Sequence, residues 1–286
     1  MNAAEVRGLC KRYESFELKD VSFTIPAGSI TGFIGRNGAG KTTTLKCMLG
    51  IAHADAGSVS FFSQPYAADE RGLKNRIGLV LGGVGFYPSR KLRLITDVTR
   101  RFYPNWDEAR YDMYMKRFGL DDRKTPAQLS NGMKVKYSLA LALSHGAELL
   151  LLDEPTSGLD PISRDEILDI FLDLQDEGAT ILFSTHITSD LDRCADDIIY
   201  IKGGEIAASS TRHEFVSRFR AVKLTHAEYD ECDRGLLIGC KRSKDGYNAL
   251  ITAQNEELLP YRTAEADLET VMIHLEKEAH DDTADA

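Results

Sequence analysis

The sequence has no surplus of positive charge and no long apolar run. Its formal net charge is −9 over 286 residues, so it lacks the basic surplus on which general affinity for nucleic acid or anionic lipid rests. We therefore expect no nucleic-acid partner. No apolar run approaches the ~20 residues that span a bilayer, and no basic segment followed by an apolar one opens the chain, so no signal peptide is expected. If the protein acts at a membrane, another chain must do the spanning.

Cysteine is scarce and scattered, and none of it forms a Cys-x-x-Cys pair. The five cysteines are Cys10, Cys47, Cys194, Cys232 and Cys240. An odd number at wide spacing indicates neither a zinc site nor a disulfide framework. The pattern predicts free thiols in a reducing cytosol.

Short apolar runs alternate with helical segments through most of the chain. The buried strands predicted from these runs are SITGFIG (29–35), ELLLLD (148–153), TILFST (180–185) and DIIYIK (197–202), with a helical stretch over 163–177. Such alternation predicts a parallel sheet covered on both faces. Residues 88–145 are instead charged and helical in pattern.

The pattern changes again near residue 215. Short strands are predicted at 221–227, 235–240 and 247–253, and Leu268, Val271, Met272 and Leu275 recur at helical spacing within 266–279. We predict a main domain over 1–214, a small α+β accessory domain over 215–280, and a disordered tail over 281–286.

A glycine-rich stretch, GRNGAGKTT at 35–43, matches G-x-x-x-x-G-K-[ST] between a predicted strand and a predicted helix. Backbone amides of such a loop wrap a β-phosphate, Lys41 reaches the β- and γ-phosphates, and the Thr42 hydroxyl ligates Mg²⁺. The alternative, a chance glycine-rich turn, is disfavoured by the strand and helix on either side. The residues expected to bind nucleotide here are Gly35, Arg36, Asn37, Gly38, Ala39, Gly40, Lys41, Thr42 and Thr43.

Two adjacent acids follow the apolar run ELLLLDEP. A strand that ends in an acid places its carboxylate at the carboxyl edge of the sheet, beside the phosphate loop. Asp153 would hold Mg²⁺ through water, and Glu154 would polarise an attacking water. A solvated turn is the alternative, and it is weaker beside a phosphate loop.

A second candidate phosphate cradle is QLSNGMK at 128–134, nearly a hundred residues further on. Ser130 can cap a helix, Gly132 allows close approach to a ligand, and Lys134 adds positive charge. Helix N-termini of this kind bind anions. The question is why one chain carries two such sites.

Over roughly residues 4–210 the chain resembles the ATP-binding subunits of ABC transporters. The resemblance rests on six motifs in order: Tyr13 in KRYESF at the adenine-stacking position, GRNGAGKTT as Walker A, LSNGM as the signature, LLLLDEP as Walker B, SGLD (157–160) as the D-loop, and His186 at the switch-histidine position. It implies an α/β P-loop NTPase of the ABC type, with a mixed sheet core, a helical subdomain at about 88–145 and a small C-terminal α+β appendage. It also implies hydrolysis of ATP with Mg²⁺, directed by Glu154 and His186.

The resemblance answers the question of the second cradle. In this family two chains sandwich the nucleotide, so Ser130, Asn131, Gly132 and Asp160 are expected to contact the ATP of a partner, in a homodimer or in a heterodimer with a similar ATPase. A transmembrane permease is the expected further partner, with the chain cytoplasmic and peripheral on the inner face of the cell membrane. FYPNWDEA (102–109) resembles a subgroup linked to antibiotic or peptide export.

The sequence departs from the family pattern at a few positions. Gly82 stands where a loop glutamine is usual, and the signature has Asn131 for its first glycine and Met133 for its glutamine. Water positioning is then left to Glu154, His186 or a bridging water, so a low basal rate is expected. The basic residues Arg90, Lys91, Arg93, Arg100 and Arg101 form either a solvated face or a permease-docking surface.

Two other functions remain open at this level. One is a soluble ABC-type ATPase acting on ribosomes or nucleic acid; the single set of motifs and the lack of a long heptad run argue against it. The other, suggested by Gly82, is a weakly catalytic nucleotide sensor.

Overall fold

The computed structural model describes residues 1–81 and 87–281 of the chain. These residues form two compact units, Met1–Ser209 and a second that begins at Ser210. None of the helices within the described ranges has the length and apolar character required to cross a membrane.

The first ten strands of the described chain are divided between two sheets. They are β1 (Asn2–Arg12), β2 (Glu17–Pro26), β3 (Ile30–Ile34), β4 (Ala56–Phe61), β5 (Gln64–Pro65), β6 (Ile77–Val80), β7 (Leu149–Asp153), β8 (Thr180–Thr185), β9 (Asp197–Lys202) and β10 (Glu205–Thr211). The α-helices are α1 (Lys41–Met48), α2 (Glu70–Lys74), α3 (Leu92–Thr99), α4 (Glu108–Arg117), α5 (Asn131–Ser144), α6 (Pro161–Asp176) and α7 (Thr188–Cys194). Short 3-10 helices occupy Tyr66–Ala68, Arg100–Phe102 and Pro126–Gln128.

A six-stranded sheet, in the order β10-β9-β3-β8-β7-β6, forms the centre of the first unit. Strand β3 runs parallel to β8 and β9, and β7 runs parallel to β6 and β8. Every residue of β3, β7 and β8 is buried, as expected for parallel strands covered on both faces. The predicted parallel sheet is confirmed. Because these strands end at one edge, the segments that follow them meet there.

A second sheet, in the order β2-β1-β4-β5, is antiparallel. Its inward side chains, including Leu9, Phe23 and Phe61, join one apolar cluster with Leu45 and Met48 of α1. This packing fixes α1, and hence the glycine loop that precedes it, between the two sheets.

Helices α3, α4 and α5 are joined by a buried polar cluster. The Thr96 hydroxyl donates to Tyr111 Oη at 2.9 Å and lies 2.9 Å from Tyr137 Oη, which donates to the Leu92 carbonyl at 3.0 Å. Burial raises the pKa of Tyr111 to about 12. Asp107 caps α4 by accepting from the Arg110 amide at 3.0 Å, which explains why the helix begins at Glu108.

The second unit is a four-stranded antiparallel sheet with helices. Its elements are α8 (Arg212–Ser217), β11 (Phe219–Leu224), α9 (His226–Glu231), β12 (Ile238–Ser243), β13 (Gly246–Thr252), β14 (Thr263–Glu265) and α10 (Leu268–Asp281), with 3-10 helices at Arg234–Leu236 and Ala253–Leu258 and sheet order β12-β13-β11-β14. Two strands have other bounds than predicted. Strand β11 ends before Thr225, which caps α9 through a capping box with Glu228, and β12 begins only after the first 3-10 helix.

Candidate nucleotide-binding site

The glycine loop joins β3 to α1 at the carboxyl edge of the central sheet. Gly38 and Gly40 adopt φ angles of 84° and 116°, a backbone region that residues with a Cβ atom rarely adopt. Gly40 supplies no side chain to cap α1. The first amides of α1 are therefore left for an anion, and the helix dipole favours negative charge at this end.

Lys41 lies at the base of this loop with its side chain 5% exposed. Its ammonium donates to the Gly35 carbonyl at 2.7 Å and to the Arg36 carbonyl at 3.3 Å. The third neighbour is the Glu154 carboxylate, whose Oε1 is 3.2 Å from Nζ. A buried ammonium needs such partners because desolvation opposes its charge.

Asp153 ends β7 with both carboxylate oxygens engaged. Oδ2 accepts from the Thr42 hydroxyl at 2.8 Å, and Oδ1 accepts from the Ser184 hydroxyl at 2.7 Å. The Thr42 and Asp153 oxygens are hard ligands, which Mg²⁺ prefers, and Mg²⁺ usually takes the rest of its shell from water and substrate phosphates. Two such ligands fit an ion that arrives with a nucleotide. Among the described residues there is no group of three or more His, Cys, Asp or Glu suited to a metal.

Glu154 follows Asp153 in a left-handed conformation, with φ of 50°. This conformation costs a non-glycine residue about 1–2 kcal/mol. The Glu154 amide donates to the Ser184 hydroxyl at 2.9 Å and approaches the Ser184 carbonyl at 3.2 Å. In the Glu154 side chain, Oε2 lies 2.9 Å from His186 Nδ1. The turn therefore directs the carboxylate between Lys41 and His186.

Ser184 was not predicted as a site residue, yet it contacts both acids. It is fully buried and pairs with Asp153 across β7 and β8. Its place two residues before His186, on the strand beside ELLLLD, is the signal that could have identified it.

Lys41, Thr42, Glu154 and His186 border one cavity of about 790 Å³, a size typical of small-molecule sites. Its described lining comprises Tyr13, Ser15, Phe16, Arg36, Asn37, Gly38, Gly40, Lys41, Thr42, Thr43, Glu154, Ser157 and His186. Ser15, Phe16 and Ser157 were not predicted, although each lies within a motif that was. Tyr13 is 46% exposed, and the Lys11 ammonium lies 5.5 Å from the centroid of its ring.

Three predicted residues lie behind this lining. Asp153 and Ala39 are buried. A methyl group on Gly35 would lie 2.4 Å from the Ile201 carbonyl, so this glycine is required by packing against β9.

The signature residues lie outside this cavity of their own chain, as far as its lining is described. Ser130 caps α5 by accepting from the Met133 amide at 3.2 Å, and Asn131 is exposed beside it. Gly132 is buried, and a methyl group there would lie 3.3 Å from Ser163 of α6. The structure does not bring these residues to their own phosphate loop.

Asp160 caps α6. Its Oδ1 accepts from the amides of Ile162 and Ser163 at 3.1 and 3.0 Å, and hydrogen bonding to Ser163 above all holds the pKa of this carboxyl below its usual value. Asp160 likewise lies outside the described lining of the cavity. Gly82, Gly83 and Gly85, the predicted departure in the loop after β6, lie outside the described residues.

Comparison with known proteins agrees with this geometry. The family described as ABC transporter matches residues 18–157. The chain is 34% identical over 218 residues to Nod factor export ATP-binding protein I of Burkholderia lata, which covers 74% of this chain and 72% of that protein. The chain belongs to the ABC transporter ATP-binding family. A second member, bacitracin transport ATP-binding protein BcrA of Enterococcus faecalis, is 32% identical over 233 residues, or 80% of this chain and 74% of that one.

Solved members of the ABC ATP-binding family share the fold. A structure described as an ATP-binding subunit of an ABC transporter has a TM-score of 0.66 at 28% identity, over 74% of this chain and 93% of that one. The structure of cbiO1 from Clostridium perfringens has a TM-score of 0.63 at 25% identity, over 75% and 90%. The resemblance and the ABC-type α/β fold predicted from sequence are confirmed. The chain is an ATP-binding subunit of the ABC transporter type, and a soluble ATPase of ribosomes or nucleic acid is not favoured.

Proposed function

We propose that the chain hydrolyses Mg-ATP and powers export through separately encoded membrane subunits. The observation that carries this proposal is the Glu154 carboxylate, held 3.2 Å from Lys41 and 2.9 Å from His186 at the edge of the cavity. An acid fixed between an ammonium and an imidazole beside a phosphate loop is suited to direct water at a γ-phosphate.

In the proposed reaction the chain supplies positioning and charge rather than covalent chemistry. The glycine-loop amides and Lys41 hold the β- and γ-phosphates. Thr42 and Asp153 would hold Mg²⁺, which neutralises charge on the phosphate oxygens when bound. Glu154 orients the attacking water and accepts its proton, and His186 steadies the γ-phosphate. Because a phosphate competes with Glu154 for Lys41, binding of ATP frees the carboxylate for this task.

The second part of the proposal is a sandwich of two chains, either two copies or this chain with a similar ATPase. Ser130, Asn131, Gly132 and Asp160 would contact the nucleotide held by the partner. Support comes from the N-terminus of α5, which is exposed at Ser130 and Asn131 and lies apart from its own cavity. The N-terminus of a helix is suited to an anion because its first amides and the helix dipole favour negative charge.

The third part is attachment to a permease at the inner face of the cell membrane. On α3 and the turn after it, Leu94, Val98 and Phe102 are 47%, 53% and 70% exposed, and exposed apolar groups of this kind mark interaction surfaces. Of the nearby basic residues, Arg100 pairs with Asp97 and Glu108, while Arg90, Lys91, Arg93 and Arg101 are exposed. The relatives are named for Nod factor export and bacitracin transport, and cbiO1 is described as part of a transporter complex.

Hydrolysis is tested by ATP turnover of the purified full-length chain with Mg²⁺. We expect turnover that Glu154→Gln reduces by at least about 100-fold. Glu177→Gln is the matched control, since Glu177 also pairs with a cation, Arg117, at 2.8 Å but lies outside the cavity lining. Turnover equal in wild type and Glu154→Gln, or absent from both, would overturn the proposal and favour a nucleotide sensor.

Attachment is tested by purifying the tagged native protein from detergent-solubilised membranes and identifying its companions by mass spectrometry. A stoichiometric polytopic partner is the expected result. Recovery from the soluble fraction alone, or with ribosomes, would contradict the transport part.

A further inference from the structure

A buried carboxylate outside the cavity connects the segments that carry the site residues. Asp190 of α7 is 0% exposed. Its Oδ2 accepts from the Thr156 hydroxyl at 2.6 Å and lies 3.5 Å from the Thr185 hydroxyl. Its Oδ1 accepts from the guanidinium of Arg164. These groups satisfy a charge that would be costly to bury alone.

Each partner of Asp190 is close in sequence to a residue of the proposed site. Thr156 lies two positions after Glu154, and Thr185 immediately precedes His186. Arg164 belongs to the first turn of α6, where its amide donates to the Asp160 carbonyl at 2.9 Å. One carboxylate thus connects the segments after β7 and β8 with the start of α6.

Two further bonds stiffen the same loop. The Arg164 guanidinium also donates to the Ser189 hydroxyl at 2.8 Å, and the Thr185 hydroxyl accepts from the Ile187 amide at 3.0 Å. The loop that carries His186 is therefore anchored on both sides of the imidazole. Charge-assisted bonds in a site closed to water are short and directional, so they fix geometry.

We propose that Asp190 is a positioning residue for ATP hydrolysis. It holds the segments of Glu154 and His186 in the relation that gives their 2.9 Å contact, and it ties this pair to the α6 terminus that bears Asp160. Asp190 is absent from the described lining of the cavity, so it acts through Thr156, Thr185 and Arg164. This inference rests on the proposed ATPase function.

A purely structural role would give the same contacts but a different kinetic result. Loss of stability alone would lower the amount of folded protein and leave kcat per folded chain unchanged. Loss of positioning would lower kcat of the folded chain and leave nucleotide affinity unchanged, because the phosphate loop does not depend on Asp190. The split between kcat and affinity therefore separates the two roles.

The test compares full-length Asp190→Asn with wild type in kcat, Mg-ADP affinity and melting temperature. Asparagine keeps the size of the side chain and removes the charge that pairs with Arg164. The matched control is Asp196→Asn, since Asp196 accepts from the Ile30 amide at 2.9 Å at the opposite, amino end of β3. Thr156→Val, with Thr156→Ser to restore the hydroxyl, examines the same link should Asp190→Asn fail to fold.

We expect kcat to fall about 10- to 100-fold in Asp190→Asn and Thr156→Val, with ADP affinity within about twofold. Thr156→Ser and Asp196→Asn should stay near wild type. The double variant, Asp190→Asn with Thr156→Val, should lose little more kcat than the more impaired of the two single variants, because the two residues act through one hydrogen bond.

Near-normal kcat in both Asp190→Asn and Thr156→Val would overturn the inference, and so would additive losses in the double variant. Wild type and Glu154→Gln are measured in the same assay. Turnover that depends on Glu154 but not on Asp190 refutes only the positioning role, whereas absence of Glu154-dependent turnover refutes the proposed function itself.

Discussion

Replacing Glu154 with glutamine should do more than stop hydrolysis. It should lower the free energy of unfolding of the nucleotide-free protein and raise the affinity for nucleotide. Without nucleotide, the Glu154 carboxylate is the only anionic neighbour described for the buried Lys41 ammonium. The variant leaves that ammonium with two backbone carbonyls and an uncharged amide. In the bound protein the phosphates replace the lost charge, so the deficit falls on the free state alone.

The size of this effect follows from the geometry. At 3.2 Å and an effective dielectric constant of about 20, the Coulomb attraction is about 5 kcal/mol. Most of it is offset by desolvation of the pair and by the glutamine carbonyl, which still accepts a hydrogen bond. The Glu154 side chain is also 21% exposed. A net loss of about 1–2 kcal/mol remains, which corresponds to about tenfold in affinity.

The assay is chemical unfolding of the nucleotide-free chain together with calorimetric binding of Mg-ADP, which avoids turnover. We expect Glu154→Gln to unfold about 1–2 kcal/mol more easily and to bind ADP about tenfold more tightly. Glu177→Gln breaks an exposed ion pair and should cost at most about 0.5 kcal/mol with no change in affinity. If Glu154→Gln is as stable as wild type and binds ADP no more tightly, Lys41 is not shared between carboxylate and phosphate.

Three further predictions follow from single contacts. Thr42→Val removes the hydroxyl 2.8 Å from Asp153, so it should weaken ATP binding about tenfold with Mg²⁺ and little in EDTA, as calorimetry would show; equal weakening in both would contradict the metal role. Gly40→Ala should destabilise the fold by about 3 kcal/mol or more, because its methyl group would lie 2.6 and 2.8 Å from neighbouring side chains. Gly38→Ala is the control and should cost about 1 kcal/mol, because its methyl group would meet open space. Equal melting temperatures of the two variants would refute this prediction. Burial lowers the pKa of His145 below its ordinary value of 6.5, so the unfolded chain binds the proton first and stability is lost as the pH falls below about 6.5; His145→Gln should flatten this dependence in urea unfolding, and an unchanged slope would argue against it.

Much of the fold could be predicted because its signals are local. The apolar runs at 148–153, 180–185 and 197–202 could bury their backbone only as strands of a covered sheet. In a parallel sheet the carboxyl ends of β3, β7 and β8 have to share an edge. That geometric necessity, together with the motif residues, is enough to predict from the sequence that Lys41, Asp153 and Glu154 lie close together.

Contacts between distant side chains could not be predicted in the same way. The left-handed turn at Glu154 and its pairing with Lys41 depend on how two loops close on each other. In the sequence Asp190 is one more acid in a polar helix, and only the packing of α6 against α7 shows that it is buried against Arg164. The short helix α9 was missed because its capping box outweighs the strand pattern of the preceding residues.

The central claim is that ATP joins two chains through the glycine loop of one and the signature helix of the other. Its most direct test is sedimentation of Glu154→Gln with saturating Mg-ATP and with Mg-ADP, alone and beside the same variant carrying Ser130→Arg. We predict a dimer of two Glu154→Gln chains, or of this chain with a similar ATPase in the complex purified with its permease. The dimer should form with ATP, be absent with ADP and be blocked by Ser130→Arg. A Glu154→Gln chain that stays monomeric in saturating Mg-ATP, both alone and in that complex, would contradict it.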